Sequence, residues 1–218
     1  ELDGLLRNNA VIKSPSKSQL MKNAVYLDGD RDWVEVAADP LLDISSRPFT
    51  VECWFNMTEK TDDYYILLQR GSGNSPQYQI AIGADSKPPE RRGVMAYLAG
   101  DNNNSYLLNS GSQEDLNAGQ WYHVALSSDR EFIRLFLNGV VVDSTKQTGN
   151  LVRVDAYDLR MGATPTGSVG FHGALDQVRL SNIARKEWEF NVNRSRLEVA
   201  EESVDFGNVL QNKTRELP

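Results

Sequence analysis

The sequence has a single cysteine, Cys53, among its 218 residues, so no disulfide can form within the chain. It also lacks any run of about 18 apolar residues, which a membrane-spanning helix requires. Basic residues are scattered and too few for a phosphate-binding stripe, because 23 lysines and arginines face 30 aspartates and glutamates. We therefore expect a chain that neither spans a membrane nor binds nucleic acid.

Helical periodicity is also nearly absent, whereas apolar and polar residues alternate with a period of two along most of the chain. The alternation is clear at 49–57 and 121–129, and segments rich in glycine, proline and asparagine separate such runs. Asn138-Gly139 tolerates the positive φ values of a type I′ turn, so it predicts a hairpin over 132–144. About twelve short strands at this spacing predict an all-β, two-sheet antiparallel sandwich.

The composition changes after about residue 196. Residues 197–218 are charged and include one strand-like run, "SVDFGNV", which resembles the opening of immunoglobulin-like repeat modules. We interpret 1–196 as the sandwich and 197–218 as a linker and the first strand of a truncated following module. We expect a short helix near 182–190, capped by Ser181 or Asn182 and packing Trp188 and Phe190 on a sandwich edge, and we place the boundary within 182–196. The start at Glu1 without methionine fits a fragment of a larger protein.

A carboxylate falls among apolar positions in the run "GALDQVRL". Read with a period of two, Asp176 lies on the same side of a strand as Ala174, Val178 and Leu180. A strand that buries this side also buries an ionised group, which is costly unless a partner neutralises it. The sequence therefore predicts a partner opposite Asp176.

A second acidic feature is "DGDRD", in which Asp28, Asp30 and Asp32 share one parity. Like charges this close repel each other unless a cation lies among them. If the strand before this turn pairs with the strand of Asp176, one Ca²⁺ ion would explain both features. We predict Asp28, Asp30 and Asp176 as its ligands, with Asp32 and main-chain carbonyls in reserve.

Two other interpretations of these aspartates are an EF-hand loop and a metal-free arrangement. An EF-hand loop is excluded, because Trp33 stands where that loop needs glycine and strands flank the run. A metal-free arrangement stays open. In it Asp28-Gly29 forms a simple turn, and Asp176 is satisfied by an arginine such as Arg179 or by backbone N–H groups.

Five segments occur in an order that points to a known family: "AVYLDGDRDWVEV", "FTVECWFNM", "GQWYHVALSSD", "IRLFLNGVVVDS" and "GFHGALDQVRLSNIAR". Over about residues 1–192 the chain resembles the LamG-like jelly-roll domains of the concanavalin A-like lectin/glucanase superfamily, relatives of pentraxins. The resemblance implies a jelly roll of 12–14 strands in two curved sheets. It also implies a structural Ca²⁺ where the acidic turn meets the aspartate of the final strand, here Asp28, Asp30 and Asp176. The sequence has no acidic loop matching the pentraxin calcium pair.

Catalysis is not expected. The glucanases of this superfamily use paired glutamates, because general acid and nucleophile must flank one glycosidic bond about 5 Å apart. The nearest such run, "EVAEESVD", lies outside the predicted sandwich. His123 lies within the apolar run "WYHVAL" and is interpreted as structural, and His172 has no serine or cysteine partner in the sequence pattern. We therefore predict that the chain is not an enzyme and has no catalytic residues.

Recognition is the function that remains. We predict a non-catalytic extracellular module, secreted or at the cell surface, that binds a glycan or another surface ligand beside other domains of a larger exported protein. The alternative is a structural or adhesive spacer that mediates protein–protein contacts without binding sugar. Aromatic faces and amide or guanidinium groups suit sugar binding. The candidate ligand-binding residues in and beside predicted loops are Tyr65, Gln69, Arg70, Gln77, Tyr97, Asn104 and Tyr106.

Overall fold

The computed structural model describes residues 3–13, 23–61, 64–72, 75–84, 86–112, 116–164, 170–190 and 192. Within these ranges the chain forms strands β1 (Gly4–Arg7), β2 (Val11–Lys13), β3 (Ala24–Asp28), β4 (Trp33–Val36), β5 (Phe49–Met57), β6 (Tyr64–Ser72), β7 (Ser75–Gly83), β8 (Gly93–Ala99), β9 (Ser105–Asn109), β10 (Trp121–Ser128), β11 (Phe132–Leu137), β12 (Val140–Lys146), β13 (Leu159–Met161) and β14 (His172–Ser181). Short 3₁₀ turns lie at Pro40–Leu42, Pro89–Arg91 and Glu187–Glu189. No helix in this part of the chain is long and apolar enough to cross a bilayer.

The strands form two seven-stranded sheets, which we name the front and back sheets. The front sheet has the order β1-β4-β13-β6-β7-β8-β9, and the back sheet has the order β12-β11-β10-β5-β14-β3-β2. Every pairing between neighbours is antiparallel. The two-sheet antiparallel jelly-roll sandwich predicted from the sequence is therefore confirmed.

The core lies between the sheets and follows the alternation in the sequence. In β5, Phe49, Val51, Cys53, Phe55 and Met57 are each at most 2% exposed and belong to one hydrophobic cluster. The single cysteine is thus a buried apolar residue, and burial raises the pKa of its thiol above its ordinary range. This one strand contributes five side chains to the interior, because its alternate positions all face the opposite sheet.

The predicted hairpin is present between β11 and β12. Asn138 and Gly139 have φ values of 50° and 77°, as a two-residue loop of this kind requires. The Asn138 side chain also accepts a hydrogen bond of 2.9 Å from the backbone N–H of His123. The turn is therefore tied to β10 as well as to its own two strands.

The outer face of the back sheet contains a buried ionic cluster. Glu52 on β5 is 1% exposed, and its Oε1 lies 2.5 Å from Nε of Arg179 and 3.5 Å from Nε of Arg185. Its Oε2 lies 3.1 Å from Nε2 of the buried His123. The cluster joins β5, β10 and β14 to the segment that follows β14, which lies over this face.

That segment only partly matches the helix predicted near 182–190. One 3₁₀ turn forms at Glu187–Glu189, and Lys186 rather than Ser181 or Asn182 precedes it. Phe190 is buried against His123 and Phe136, with ring centroids 5.1 and 4.9 Å away. Trp188 is 74% exposed, so the expectation that it packs on the sandwich is wrong.

The predicted boundary near residue 196, and the linker and strand predicted for 197–218, lie outside the described residues. All the strands of the described sandwich lie between Gly4 and Ser181. The second module therefore stays a prediction.

Replacing Glu52 with glutamine should lower the free energy of unfolding by about 1–3 kcal/mol, because two guanidinium groups and His123 lose their charged partner. Urea unfolding at neutral pH measures the change. The exposed pair of Arg153 and Asp155, 2.8 Å apart, supplies the matched control. Asp155→Asn should leave stability unchanged, since exposed ion pairs contribute little. Equal effects of the two substitutions would contradict a structural role for the buried cluster.

The contribution of Glu52 should also depend on pH. Burial acts to raise the pKa of Glu52, but the hydrogen bond with His123 and the charges of Arg179 and Arg185 outweigh burial and hold it below 4.5. A carboxyl whose pKa is lower in the folded state stabilises above its unfolded pKa and loses this effect as pH falls. The stability gap between the wild type and Glu52→Gln should therefore shrink below about pH 4.5. A gap that stays constant from pH 7 to pH 3 in urea titrations would disprove this linkage.

Candidate functional site

The outer face of the front sheet carries a row of polar side chains in register across five strands. The row consists of Glu35, Arg160, Gln69, Gln79 and Tyr97, on β4, β13, β6, β7 and β8 respectively. Each has a strand neighbour that packs in the core, so alternation places the row on the opposite, outer side. We name this set the polar row. It spans four interstrand steps, or about 19 Å.

Hydrogen bonds fix the middle of the polar row. Nε2 of Gln79 donates to Oε1 of Gln69 at 2.8 Å, and Nε2 of Gln69 donates to the carbonyl oxygen of Ser72 at 3.2 Å. Gln69 is fully buried even though it faces outward, so it positions Gln79 and does not itself face solvent. The two amides are therefore held in one orientation.

One end of the polar row is ionic and contains a tryptophan. Nε1 of Trp33 donates to Oε2 of Glu35 at 3.3 Å, and the guanidinium of Arg160 lies 5.0 Å from the Trp33 ring centroid. Glu35 also forms ion pairs with Arg7 at 2.8 Å and Arg160 at 3.2 Å. The hydrogen bond from Arg7 holds the pKa of Glu35 below its ordinary range. This end thus presents a fixed indole ring beside two cations and one ionised carboxylate.

A second part of the same outer face, beside the polar row, is apolar. Ile66, Ala81 and Met95 form a small buried cluster that packs against the half-buried Tyr64 and Leu107. Together with the polar row, this cluster gives the front sheet an outer surface of aromatic, amide and guanidinium groups. Such a surface can stack against the C–H faces of a sugar and hydrogen-bond its hydroxyl groups.

Two of the seven candidate ligand-binding residues, Gln69 and Tyr97, belong to the polar row. Four others are buried within the sandwich: Tyr65, Arg70, Gln77 and Tyr106. Asn104 is exposed on the β8–β9 turn. The seven residues therefore do not form one site.

The four buried residues have structural partners. Tyr65 packs edge-on against Phe171, and the hydroxyl of Tyr106 accepts hydrogen bonds from the N–H groups of Thr148 and Gly149, both at 3.1 Å. Nη1 of Arg70 donates to Oε1 of Gln77 at 2.5 Å. Arg70 and Gln77 lie near the ends of β6 and β7, beside the turn that the sequence pattern predicted to be an exposed loop.

Gln77 extends this network to two connecting segments. Its amide nitrogen donates to Oδ1 of Asp43 at 2.6 Å and to the carbonyl oxygen of Val152 at 2.7 Å. These bonds tie the loops around residues 43 and 152 to β7. Gln77 is therefore a structural residue, not part of an open surface.

Four members of the outer face were missed from the sequence: Trp33, Glu35, Gln79 and Arg160. Trp33 and Glu35 alternate with the buried Val34 and Val36, so the run "WVEV" itself separates an inner from an outer side. The same alternation places Gln79 opposite its buried neighbours in β7. The period-two pattern within strands is thus the sequence signal that identifies the residues of the outer face. The composition of the loops does not identify them.

The predicted meeting of Asp28 and Asp176 does not occur. Strands β3 and β14 pair, as the prediction required, but the register places Asp28 opposite His172. Asp176 lies four residues further along β14, about 13 Å away. Asp28 instead accepts hydrogen bonds from the N–H of Asp30 at 2.9 Å and from Nδ2 of Asn9 at 3.1 Å.

A β-bulge explains the position of Asp176. Gln177 has a φ of 47°, and the pairing of β14 with β5 shifts between Asp176 and Arg179. Asp176 therefore lies on the outer side, opposite Trp54, while Val178 and Leu180 pack against the core. The prediction that these residues share one side is wrong, because the extra residue reverses the parity.

The hydrogen-bond partner of Asp176 is a backbone N–H group, not an arginine or the other aspartates of the predicted metal site. The N–H of Gln177 donates to Oδ1 of Asp176 at 2.7 Å, while Arg179 pairs with Glu52. Burial raises the pKa of Asp176 above its ordinary range. This arrangement matches the backbone N–H form of the metal-free interpretation.

The acidic turn retains one unpaired atom. Asp32 is fully buried, and its Oδ2 accepts the N–H of Asp28 at 2.7 Å, whereas Oδ1 has no hydrogen-bond partner in the described part of the chain. No three histidine, cysteine, aspartate or glutamate side chains gather as a metal-binding group among the residues described. Asp28, Asp30 and Asp176 therefore do not fit as one ligand set.

The residues with acid–base chemistry on the back sheet are enclosed. His123 is 4% exposed and lies between Trp54 and Phe190, with ring centroids 5.4 and 5.1 Å from its own. Its partner Glu52 is already paired with two arginines. The enclosed position of His123 therefore agrees with the structural role inferred for this residue from the sequence.

The two seven-stranded antiparallel sheets and their strand order define a jelly-roll sandwich. The profile of the Laminin_G_3 family, described as the concanavalin A-like lectin/glucanases superfamily, matches residues 28–189. The chain belongs to this family. The resemblance recognised in the sequence is therefore confirmed.

Individual relatives are distant. The chain is 22% identical over 134 residues to adhesion G-protein coupled receptor V1 of Danio rerio, which covers 61% of this chain and 2% of the receptor. Domain 4 of AbnA, a GH43 extracellular arabinanase from Geobacillus stearothermophilus solved in complex with arabinotriose, has a TM-score of 0.64 at 16% identity and covers 85% of both chains. The ligand-binding domain of botulinum neurotoxin serotype D, in complex with N-acetylneuraminic acid, has a TM-score of 0.62 at 13% identity, covering 86% of this chain and 44% of that one. At these identities the structural likeness shows the fold.

Proposed function

We propose that the chain is a non-catalytic recognition module that binds a glycan on the outer face of the front sheet. The observation that carries this proposal is the polar row, with aromatic rings near both ends. Trp33 lies on β4 and Tyr97 on β8, four interstrand steps apart, which corresponds to about 19 Å. A surface of this length suits several linked sugar rings.

The chemistry of the row supports the same class of ligand. The buried Gln69 holds the half-buried Gln79 through their hydrogen bond, so the orientation of the Gln79 amide is set before a ligand arrives. Arg160 is held between Trp33 and Glu35. Preorganised amide and guanidinium groups beside aromatic rings are the groups that read sugar hydroxyls and cover apolar sugar faces.

The same face is poorly suited to glycoside hydrolysis. A hydrolase needs two carboxyl groups across an open groove, about 5 Å apart for the retaining mechanism. Glu35 is the one carboxylate of the polar row, and Arg7 and Arg160 both engage it. This arrangement supports a binding role without catalysis.

The relatives support an extracellular setting. The structures of similar fold include an arabinanase domain with arabinotriose and a toxin domain with N-acetylneuraminic acid, and the sequence relative is an adhesion receptor. The chain spans about 2% of that receptor's length. We therefore propose a secreted or cell-surface module that works beside other domains of a larger protein.

Replacing Trp33 or Tyr97 with alanine should weaken glycan binding roughly tenfold, because each substitution removes an aromatic face for stacking. A glycan array that includes arabino-oligosaccharides and sialylated glycans would select the ligand, and calorimetry would measure the affinities. Trp188→Ala is the matched control, since this tryptophan is 74% exposed beside the back sheet. Absence of binding by the wild type, or equal binding by all three variants, would refute the proposal.

A different feature favours the alternative of an adhesive or structural spacer. Strands β1 and β2 expose apolar side chains at one edge of the sandwich, with Leu5 53% and Ile12 60% exposed. Exposed apolar groups gathered at an edge are typical of protein contacts. A chain that binds no glycan but loses a protein contact on Ile12→Lys would establish this second function.

We also propose that calcium binds at the Asp28–Asp32 turn, with Asp32 instead of Asp176 as its buried ligand. Burial raises the pKa of Asp32, and Oδ1 has no hydrogen-bond partner among the described residues. A cation beside this oxygen would offset the cost of burying the charge. Main-chain carbonyls of the turn and water would complete the oxygen ligands that Ca²⁺ requires.

Chelation should lower the melting temperature by roughly 5–10 °C from its value at calcium a hundredfold above Kd. Differential scanning calorimetry with calcium or with EDTA measures the change. Asp32→Asn should remove this calcium dependence, and Asp176→Asn should preserve it, because the β3–β14 register separates Asp176 from the turn. An unchanged melting temperature after chelation would rule out the site.

A further inference from the structure

We propose that the cleft between the two sheets binds a long-chain carboxylate, a free fatty acid, at a site separate from the polar row. A cavity of about 630 Å³ lies between β4 and β13 of the front sheet and β14 of the back sheet. This volume falls in the range of small-molecule sites, roughly 300–1,000 Å³. We name it the inter-sheet cleft.

The walls of the inter-sheet cleft are apolar. Leu42, Ile44, Phe49 and Leu159 are each at most 4% exposed and belong to the core, so they form a rigid surface. Leu180 of β14 continues this surface toward the opening. An alkyl chain gains free energy from each methylene it buries here.

The charged groups that line the cleft all have one sign. They are Arg47, Arg179 and Arg185, and its lining includes no aspartate or glutamate. This is unusual in a chain with a net charge of −7. A ligand that complements the cleft therefore has an apolar body and an anionic group.

The existing partners leave this positive charge in excess. Glu52, on the outer face of the back sheet, pairs with Arg179 and Arg185. Nη2 of Arg47 donates to the carbonyl oxygens of Leu41 and Asp43, at 3.0 and 3.1 Å, and Arg47 forms no ion pair within the described part of the chain. A carboxylate head group would supply Arg47 with the negative charge that it lacks.

A second cavity gives the alkyl chain room and a direction. It has a volume of about 410 Å³ and shares Val36, Met161 and Val178 with the inter-sheet cleft. Its lining includes no arginine or lysine that could hold a carboxylate. The arrangement therefore favours a ligand whose head group lies at Arg47 and whose tail extends toward β1 and β2.

Calorimetry with decanoate and dodecanoate below their micelle concentrations tests the proposal on the whole chain. Affinity should rise about fourfold for each added methylene. Nonanol and nonyltrimethylammonium have the same nine-carbon tail as decanoate without the negative charge, so both should bind at least tenfold more weakly than decanoate. Equal binding of these three probes, or no binding of either carboxylate, would overturn the proposal.

Variants locate the site. Arg47→Gln should weaken decanoate binding roughly tenfold, whereas Arg153→Gln, at an exposed arginine outside both cavities, should leave it unchanged. Val178→Phe should block the junction of the two cavities and reduce dodecanoate affinity more than decanoate affinity. If that variant does not fold, Ile183→Trp narrows the opening at a residue that is 47% exposed. Decanoate binding that survives Arg47→Gln and both bulky substitutions would exclude this cleft.

The inter-sheet site and the glycan face are tested separately. Tyr97→Ala should reduce glycan binding and leave decanoate binding unchanged, because Tyr97 does not line either cavity. Val178→Phe should have the opposite pattern. Loss of both activities in either variant, with the fold intact by circular dichroism, would contradict two independent sites.

Discussion

The pairing of Glu52 determines how the back sheet and its covering segment fit together. Its carboxylate is 1% exposed, and taking an ion out of water costs several kcal/mol unless partners compensate. Those partners come from three different elements: His123 from β10, Arg179 from β14 and Arg185 from the segment after β14. None of these elements can shift far without leaving a buried charge unpaired. This face of the back sheet is therefore fixed.

Local patterns were sufficient to predict the architecture. Strand β5 alternates five core residues with outward-facing ones, and Asn138-Gly139 favours a tight turn between β11 and β12. Such signals depend on neighbours in the sequence, so they survive without knowledge of the fold. The order of strands in each sheet depends on contacts between distant segments, and for it the sequence offered only a family resemblance.

The sites were harder to predict because bulges change which side a residue faces. One extra residue at Gln177 places Asp176 outside and Val178 inside, although the sequence gives them the same parity. A register shift in β6 likewise interrupts its alternation, so the consecutive residues Leu67 and Leu68 both pack in the core. A bulge is set by pairing across strands, so a single sequence does not reveal its position. Gln69 and Tyr97 were identified by residue type, whereas Trp33 required the pattern of β4.

The two ends of the described sandwich are attached to different layers. Strand β1 lies at the edge of the front sheet, whereas the segment through Arg185 and Phe190 lies on the back sheet. Any force applied between these ends would therefore be transmitted across the packed interface between the layers, where side chains of both sheets belong to one hydrophobic cluster.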